Sequence, residues 1–146
     1  MSALLLASLL SVEFVGPCSS EPLLSATASR DQASTVGELT IQTLDRFTIP
    51  YLGTAGGLNS AFGTPIGLDA LEVLSDSEMR SYGWCYSVDG VAPEVYPHEI
   101  ALSEVSKIRW FYAFAHYVRG QWVSQCEPAY ELVPEFLCGP AKTTRD

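Results

Sequence analysis

Basic residues are scarce in this 146-residue chain. It holds 8 Lys and Arg against 17 Asp and Glu, which gives a formal net charge of −9 and an isoelectric point near 4.5. Proteins that bind nucleic acid or an anionic membrane surface need a basic patch to neutralise phosphate groups. The composition therefore predicts no nucleic-acid partner and favours a partner that is neutral, cationic or a protein.

The chain also lacks the short motifs that mark common active sites. It contains no nucleophile elbow, no HExxH, no CxxC and no GxGxxG. What remains is a Cys–His combination, Cys85 with His98 or His116 and with Asp89 or Glu99, which in principle suits a Cys nucleophile. The favoured interpretation of Cys85 is a structural disulfide, and a small Cys-dependent enzyme ranks third among the functions considered below.

Metal and cofactor sites are not predicted either. Neither histidine lies at ligand spacing from a cysteine, so no zinc site is expected. The glycine-rich segment 53–63 lacks the Lys and Ser or Thr of a phosphate-binding loop, and we interpret it as a plain loop. We therefore expect no metal and no cofactor.

No apolar run is long enough to cross a bilayer as a helix. The longest, Ala3 to Val15, suits the apolar core of a signal peptide, although no Lys or Arg precedes it and Glu13 interrupts it. We predict a signal peptide over residues 1–20, cleavage between about residues 16 and 28, and a periplasmic or secreted protein without a membrane span. Acylation of Cys18 as a lipoprotein is a weaker alternative, because Pro17 fits poorly before the modified cysteine.

Residues 21–37 are rich in Ser, Ala and Thr without a sustained period, which predicts a linker. Four cysteines fit export, since disulfides persist outside the cytosol. The expected bridge joins Cys126 to Cys138, because the 11 residues between them include two prolines and form a short loop. Cys85 is the alternative partner of either, and a retained Cys18 would supply a fourth thiol.

Local patterns predict one helix and several strands. Glu38 to Leu44 alternates apolar and polar residues as a half-buried strand does, and Phe47 to Leu52 is a second extended piece. Thr64 and Pro65 suit a helix start, and the leucines at 68, 71 and 74 share one helical face, so a helix is expected from Thr64 to about Leu74, ending by Gly83.

The region after residue 83 is aromatic and β-like. WCYSV is followed by an Asp89–Gly90 turn, and Lys107 to Val118 forms a long strand that turns at Arg119–Gly120 into Gln121 to Cys126. Both faces of the long strand are apolar, which predicts that one face is covered and the other binds a ligand or partner. The expected binding residues are Trp84, Tyr86, Trp110, Tyr112 and His116. The alternative is that these aromatic side chains are simply core.

The order of these motifs resembles a known family. An L-x-A-L helix is matched by Leu68, Ala70 and Leu71. An aromatic W-x-Y-x-V-N-G segment is matched by Trp84, Tyr86, Val88, Asp89 and Gly90. A closing I-x-W-x-Y strand is matched by Ile108, Trp110 and Tyr112. Together they are similar to the small C-terminal β-domain of transcobalamin and intrinsic factor, which also occurs in bacterial surface proteins as a domain of unknown function. Departures are Asp89 for the usual Asn, the cysteines, and a hairpin extension after Phe114.

The resemblance covers roughly residues 38–114 and implies an α+β fold, a β-grasp-like sheet with one main helix packed across it, and a role in binding soluble ligands or in displaying modules at the surface. We expect this domain over residues 38–140, with the hairpin extension at its C-terminal end and a polar tail at 141–146, and the expected partner is a soluble small molecule or a protein. It does not imply cobalamin, because in the vitamin carriers a large helical domain outside the matched region supplies the other half of the site. We expect an exported, non-enzymatic binding domain; the alternative is a structural or interaction subunit, or an inhibitor, of an envelope protein.

Overall fold

The computed structural model describes residues 8–140 and shows a mixed, sheet-dominated α+β fold. A curled six-stranded sheet carries one main helix, and a separate two-stranded hairpin packs beside that helix. The strands are β1 Leu9–Val15, β2 Pro22–Ser29, β3 Tyr51–Thr54, β4 Gly57–Ala61, β5 Leu71–Ser75, β6 Glu78–Val88, β7 Lys107–Val118 and β8 Gln121–Pro128. The helices are α1 Val36–Arg46 and the single turn α2 Glu135–Cys138. No helix of the described range is long and apolar enough to cross a membrane.

Strand β7 organises the sheet. Residues 108–118 of β7 pair antiparallel with β6, and β5 follows β6 at the outer edge. On its other side, β7 pairs in parallel with β1 through residues 107–111 and antiparallel with β8 through residues 113–118. Strand β2 pairs antiparallel with β1 and closes that end of the sheet. The predicted long strand Lys107 to Val118 and its hairpin with β8 are therefore confirmed.

The core lies between helix α1 and one face of the sheet, which we call the front face. Alternate residues of β1, β6 and β7 point to this face, and they are almost completely buried: Val12, Phe14, Tyr82, Trp84, Ile108, Trp110 and Tyr112. Such contiguous apolar burial is the main favourable contribution to folding. The aromatic residues that dominate the sequence pattern thus form the core of this domain.

Helix α1 occupies a segment that the sequence predicts as a strand. Thr35 caps it by accepting a hydrogen bond from the Glu38 amide at 3.2 Å. Gly37 in its first turn lies against the β3–β4 turn, where a Cβ atom would come within 1.9 Å of the Ala55 carbonyl oxygen. The strand prediction for Glu38 to Leu44 is therefore wrong, and the main helix is this one.

The predicted helix from Thr64 to Leu74 is also wrong. Gly67–Ala70 forms a short 3₁₀ turn, Leu71–Ser75 is strand β5, and Gly83 lies inside strand β6. Leu68, predicted to face the core, is 84% exposed. The Thr64 hydroxyl does not cap a helix, because it donates to the Ala61 carbonyl at 2.9 Å and accepts from the Trp84 indole.

The N-terminal segment is part of the sheet. Residues 9–15, predicted to belong to a signal peptide, form β1, and residues 22–29 of the predicted linker form β2. Val12, Phe14 and Val15 are fully buried. Export with cleavage between residues 16 and 28 stays a prediction, and it has a structural consequence: the cleaved chain would lose β1. Residues 1–7 of that predicted signal, and the predicted polar tail 141–146, lie outside the described residues.

Two disulfides join distant parts of the chain. Cys18, just after β1, pairs with Cys138 at the end of α2, and Cys85 on β6 pairs with Cys126 on β8. The predicted Cys126–Cys138 pairing is therefore wrong. The structure shows the alternatives: Cys85 is the partner of Cys126, and Cys18 is the partner of the remaining thiol, Cys138. The reason lies in the sheet: β6 and β8 lie on either side of β7, and a bulge in β8 at Cys126, where φ is 53°, brings this residue across β7 to a Cα–Cα distance of 5.8 Å from Cys85.

Candidate functional site

A recess with an aromatic floor lies where the front face of the sheet emerges from beneath helix α1. Its floor is formed by Trp84 and Tyr86 of β6 and by Trp110 of β7. Tyr86 and Trp110 are cross-strand partners whose rings stack with centroids 5.1 Å apart. The recess has a volume of about 450 Å³ and opens to solvent. We call it the aromatic cleft.

One wall of the cleft is the β3–β4 hairpin, through its backbone and small side chains at residues 53–59. Gly53 adopts φ +152°, and a Cβ there would approach the Gly57 carbonyl oxygen to 2.5 Å. Only glycine allows the two strands to approach this closely. The hairpin therefore presents a smooth, glycine-lined surface to the aromatic floor.

The opposite wall is the loop between β6 and β7, at Val95 to His98. The rings of Tyr96 and His98 stack nearly parallel, with centroids 5.8 Å apart and an interplanar angle of 8°. Tyr96 is 64% exposed, so this pair stands at the mouth of the cleft. The loop is held by a hydrogen bond from the Tyr96 amide to the Glu99 carboxylate at 2.9 Å.

The polar tips of the three floor aromatics are already engaged within the protein. The Trp84 indole N–H donates to the Thr64 hydroxyl at 2.9 Å, and the Trp110 indole N–H donates to the Thr40 hydroxyl at 2.8 Å. The Tyr86 hydroxyl donates to the Val95 carbonyl. The aromatic carbon that the floor presents to solvent comes mainly from the half-buried Tyr86, because Trp84 and Trp110 are 8% and 2% exposed, and the hydrogen bonds fix the three rings in place rather than serve a ligand.

The described lining of the cleft carries no acidic or strongly basic side chain, since none of these residues is Lys, Arg, Asp or Glu. Burial, and then the nearby Glu99 carboxylate, raise the pKa of Tyr86 above its ordinary value, so its phenol stays neutral. Burial likewise raises the pKa of Tyr112, which lies behind the floor, to about 12. An apolar recess with few polar groups at its rim is typical of small-molecule sites.

The structure brings three of the five predicted binding residues together. Trp84, Tyr86 and Trp110 line the cleft. Tyr112 is fully buried and packs edge-on against Trp84 at 5.4 Å, so it belongs to the core and not to the cleft surface. His116 lies near the far end of β7, where its Nε2 is 2.6 Å from a Glu78 carboxylate oxygen.

Sequence reasoning missed the two walls. Segment 53–63 was interpreted as a plain loop, yet it forms the β3–β4 hairpin, and Tyr96 was not singled out. A usable signal was present, because the dipeptide Gly56–Gly57 is one that favours a tight hairpin turn. The contribution of Tyr96 and His98 depends on a long loop folding back, which no local pattern reveals.

The residues present do not suit Cys chemistry. All four cysteines of the chain are in disulfides, so Cys85 has no thiolate to pair with His98 or His116. Within residues 8–140 no group of three His, Cys, Asp or Glu side chains is placed to hold a metal ion. The small Cys-dependent enzyme, third among the predicted functions, therefore loses its nucleophile.

Comparison of the chain with protein-family models, with curated proteins and with solved structures finds no match.

Proposed function

We propose that this protein is an exported, non-enzymatic domain that keeps β1 and Cys18 in the folded form and binds a small soluble molecule in the aromatic cleft. One observation carries the proposal: three ordered aromatic rings form the floor of a concave recess of about 450 Å³. Small-molecule sites typically enclose about 300–1,000 Å³ and are lined mainly by apolar and aromatic side chains. A protein partner would instead favour a flat aromatic patch.

The chain order of the sheet supports a β-grasp-type fold, but its main helix is α1 and not the Leu68–Leu71 segment that was matched to the family. An N-terminal hairpin, β1 and β2, is followed by helix α1 packed over the sheet, and the first strand then lies parallel to the late strand β7. The β3–β4 hairpin and the β7–β8 extension are additions to that plan. Neither addition belongs to the order of strands and helix that defines the β-grasp plan. The β3–β4 hairpin forms a wall of the cleft.

Two disulfides support the proposed periplasmic or secreted location, because thiols are kept reduced in the cytosol of most organisms. The strong negative charge fits a secreted protein that stays soluble and avoids nucleic acid.

One feature favours the second candidate, a subunit that docks on a protein. Strand β5 is an edge strand, and exposed apolar side chains lie on it and beside it, namely Val73, 72% exposed, and Ile66, 50% exposed. Exposed edges and apolar patches are common sites of protein contact. Ile66 lines a neighbouring recess that shares Trp84 and Asn59 with the cleft, whereas Val73 does not line the cleft, so an independent test of this candidate uses Val73.

The proposal predicts that filling the cleft abolishes small-molecule binding without unfolding the protein. Asn59 lines the cleft on strand β4 and is exposed, so Asn59→Phe should place a bulky ring in the recess. Binding is followed by the NMR signals of the three indole N–H groups during addition of a library of small soluble molecules. In the parent protein we expect signals of Trp84 and Trp110 to shift and that of Trp122 to stay, because Trp122 pairs with Tyr117 at the far end of β7.

The matched control is Ser25→Phe, at an exposed position of edge strand β2. It should bind like the parent, while Asn59→Phe should lose the Trp84 and Trp110 shifts. Equal responses in both variants, or shifts confined to Trp122, would place binding elsewhere and reject the cleft as the site.

A further inference from the structure

We infer that the aromatic cleft selects a small organic cation over a neutral molecule of the same shape. This rests on the proposed function and names the class of ligand. Three properties carry it: the engaged aromatic floor, the Glu99 carboxylate next to the Tyr96 wall, and the absence of Lys and Arg among the described residues that line the cleft.

The floor can contribute little except aromatic surface. Because the polar tips of Trp84, Tyr86 and Trp110 are bonded to protein groups, a ligand meets rings rather than free N–H or O–H donors. Aromatic rings carry a negative potential over their faces, and a cation within about 6 Å of a ring centre is attracted by it. Trp84 and Trp110 are only 8% and 2% exposed and lie beneath the surface, so the ring faces that a cation meets are those of Tyr86 on the floor and of the exposed Tyr96 at the mouth.

A carboxylate stands beside this aromatic surface. Glu99 accepts from the Tyr96 amide at 2.9 Å and lies close enough to Tyr86 that its charge contributes to the raised pKa of that phenol. Among residues 8–140, Glu99 forms no salt bridge with a Lys or Arg. Glu99 does not itself line the cleft, but its charge acts on the cleft from beside Tyr86 and Tyr96.

Nothing along the cleft opposes a cation. The described lining contains no Lys or Arg. Apart from its tyrosines, the one titratable side chain among these described residues is His98, on the rim. The net charge of −9 adds a long-range attraction for cations, weakened by salt. An anion would meet both the acidic field and the negative ring faces, and so would bind worst.

The test uses three molecules of one shape: choline, the alcohol in which a tert-butyl group replaces trimethylammonium, and a carboxylate of the same tert-butyl skeleton. Each is titrated into the full chain while the indole signals of Trp84 and Trp110 are followed, with Trp122 as internal reference. We expect choline to bind about tenfold more tightly than the alcohol, as a partly desolvated cation–π contact implies, and the carboxylate to bind least.

Two variants separate the sources of selectivity. Glu99→Gln removes the charge but keeps an oxygen that can accept from the Tyr96 amide, so choline binding should weaken about threefold while alcohol binding stays the same. Glu127→Gln, on exposed strand β8, is the matched control and should change neither. Tyr96→Leu removes one exposed ring and should weaken choline more than the alcohol.

If the alcohol or the carboxylate binds as tightly as choline, the cation preference is overturned, while shifts of Trp84 and Trp110 would still support a small-molecule cleft. If none of the three moves these signals, the cation preference is overturned as well. In that case the library experiment with Asn59→Phe still decides the proposed function separately.

Discussion

Removal of the Cys18–Cys138 disulfide, by Cys18→Ser with Cys138→Ser, is expected to lower the free energy of unfolding by about 5 kcal/mol. The bridge spans a sequence separation of 120 residues, and the entropy of closing so long a loop in the unfolded chain gives this magnitude. It also ties the end of β1 to helix α2, whose Phe136 ring packs against Tyr82 at 5.2 Å. Guanidinium unfolding without reductant measures the loss.

The second disulfide provides the comparison. Cys85–Cys126 spans 41 residues, so Cys85→Ser with Cys126→Ser should cost about 4 kcal/mol by the same argument. Peptide mapping of the oxidised parent should recover only these two pairings. A loss below about 1 kcal/mol for the Cys18–Cys138 pair, or recovery of a Cys126–Cys138 peptide, would contradict the structure. The result also bears on processing, because cleavage beyond residue 18 would remove one partner.

Tyr112→Ala and Trp110→Ala should each destabilise the domain by about 3–5 kcal/mol, as large-to-small changes of buried aromatic residues do. Tyr112 is fully buried, and its ring stacks on Tyr82 with centroids 6.0 Å apart. Trp110 is 2% exposed, and its loss would also leave the buried Thr40 hydroxyl without its indole donor. Chemical denaturation of the two variants gives the free energies.

Trp122→Ala is the matched control, because it removes the same side chain as Trp110→Ala from a position that is 47% exposed. It should cost about 1 kcal/mol or less. If Tyr112→Ala folds with parent stability, the front face is not the core that the structure describes. The comparison settles the question posed by the sequence, whether the aromatic strand is core or surface.

The strands that the sequence predicts well are those with strong local signals. Strand β7 combines β-branched and aromatic residues, and Arg119–Gly120 supplies a tight turn, with Arg119 at φ 50° and Gly120 at φ 85°. The Asp89–Gly90 turn is also present, but it opens a long loop instead of a short hairpin. The Asp89 carboxylate closes that loop by accepting from the Lys107 amide at 2.8 Å. The sequence predicts the turn at Asp89–Gly90, but it does not predict the length of the loop that follows, between β6 and β7.

The main helix was missed because its buried face contains threonines. Helical spacing is present among the buried positions Leu39, Thr40, Thr43 and Leu44. The strand prediction, however, rests on alternating apolar and polar residues and so places Thr40 on the solvent side. Inside the helix, the Thr40 and Thr43 hydroxyls donate to carbonyls four residues earlier, at 2.8 and 2.7 Å. These bonds satisfy the hydroxyls and allow them to be buried.

The opposite error at residues 64–74 has a tertiary cause. The leucine spacing fits a helix, yet β6 offers an unpaired edge, and β5 satisfies it by pairing Leu71 with Ser81 and Val73 with Met79. Short apolar segments are often compatible with both structures, and the tertiary partner decides. The same dependence explains the site: its floor follows from strand periodicity, whereas its walls come from a hairpin and a loop brought together only by the fold.

Native mass spectrometry of the protein purified from its source tests the central claim most directly. We predict a retained small molecule that is released on denaturation, is kept by Ser25→Phe and is lost by Asn59→Phe, because only the latter side chain fills the aromatic cleft. A bound molecule that survives Asn59→Phe unchanged, or a protein partner in place of any small molecule, would contradict the account.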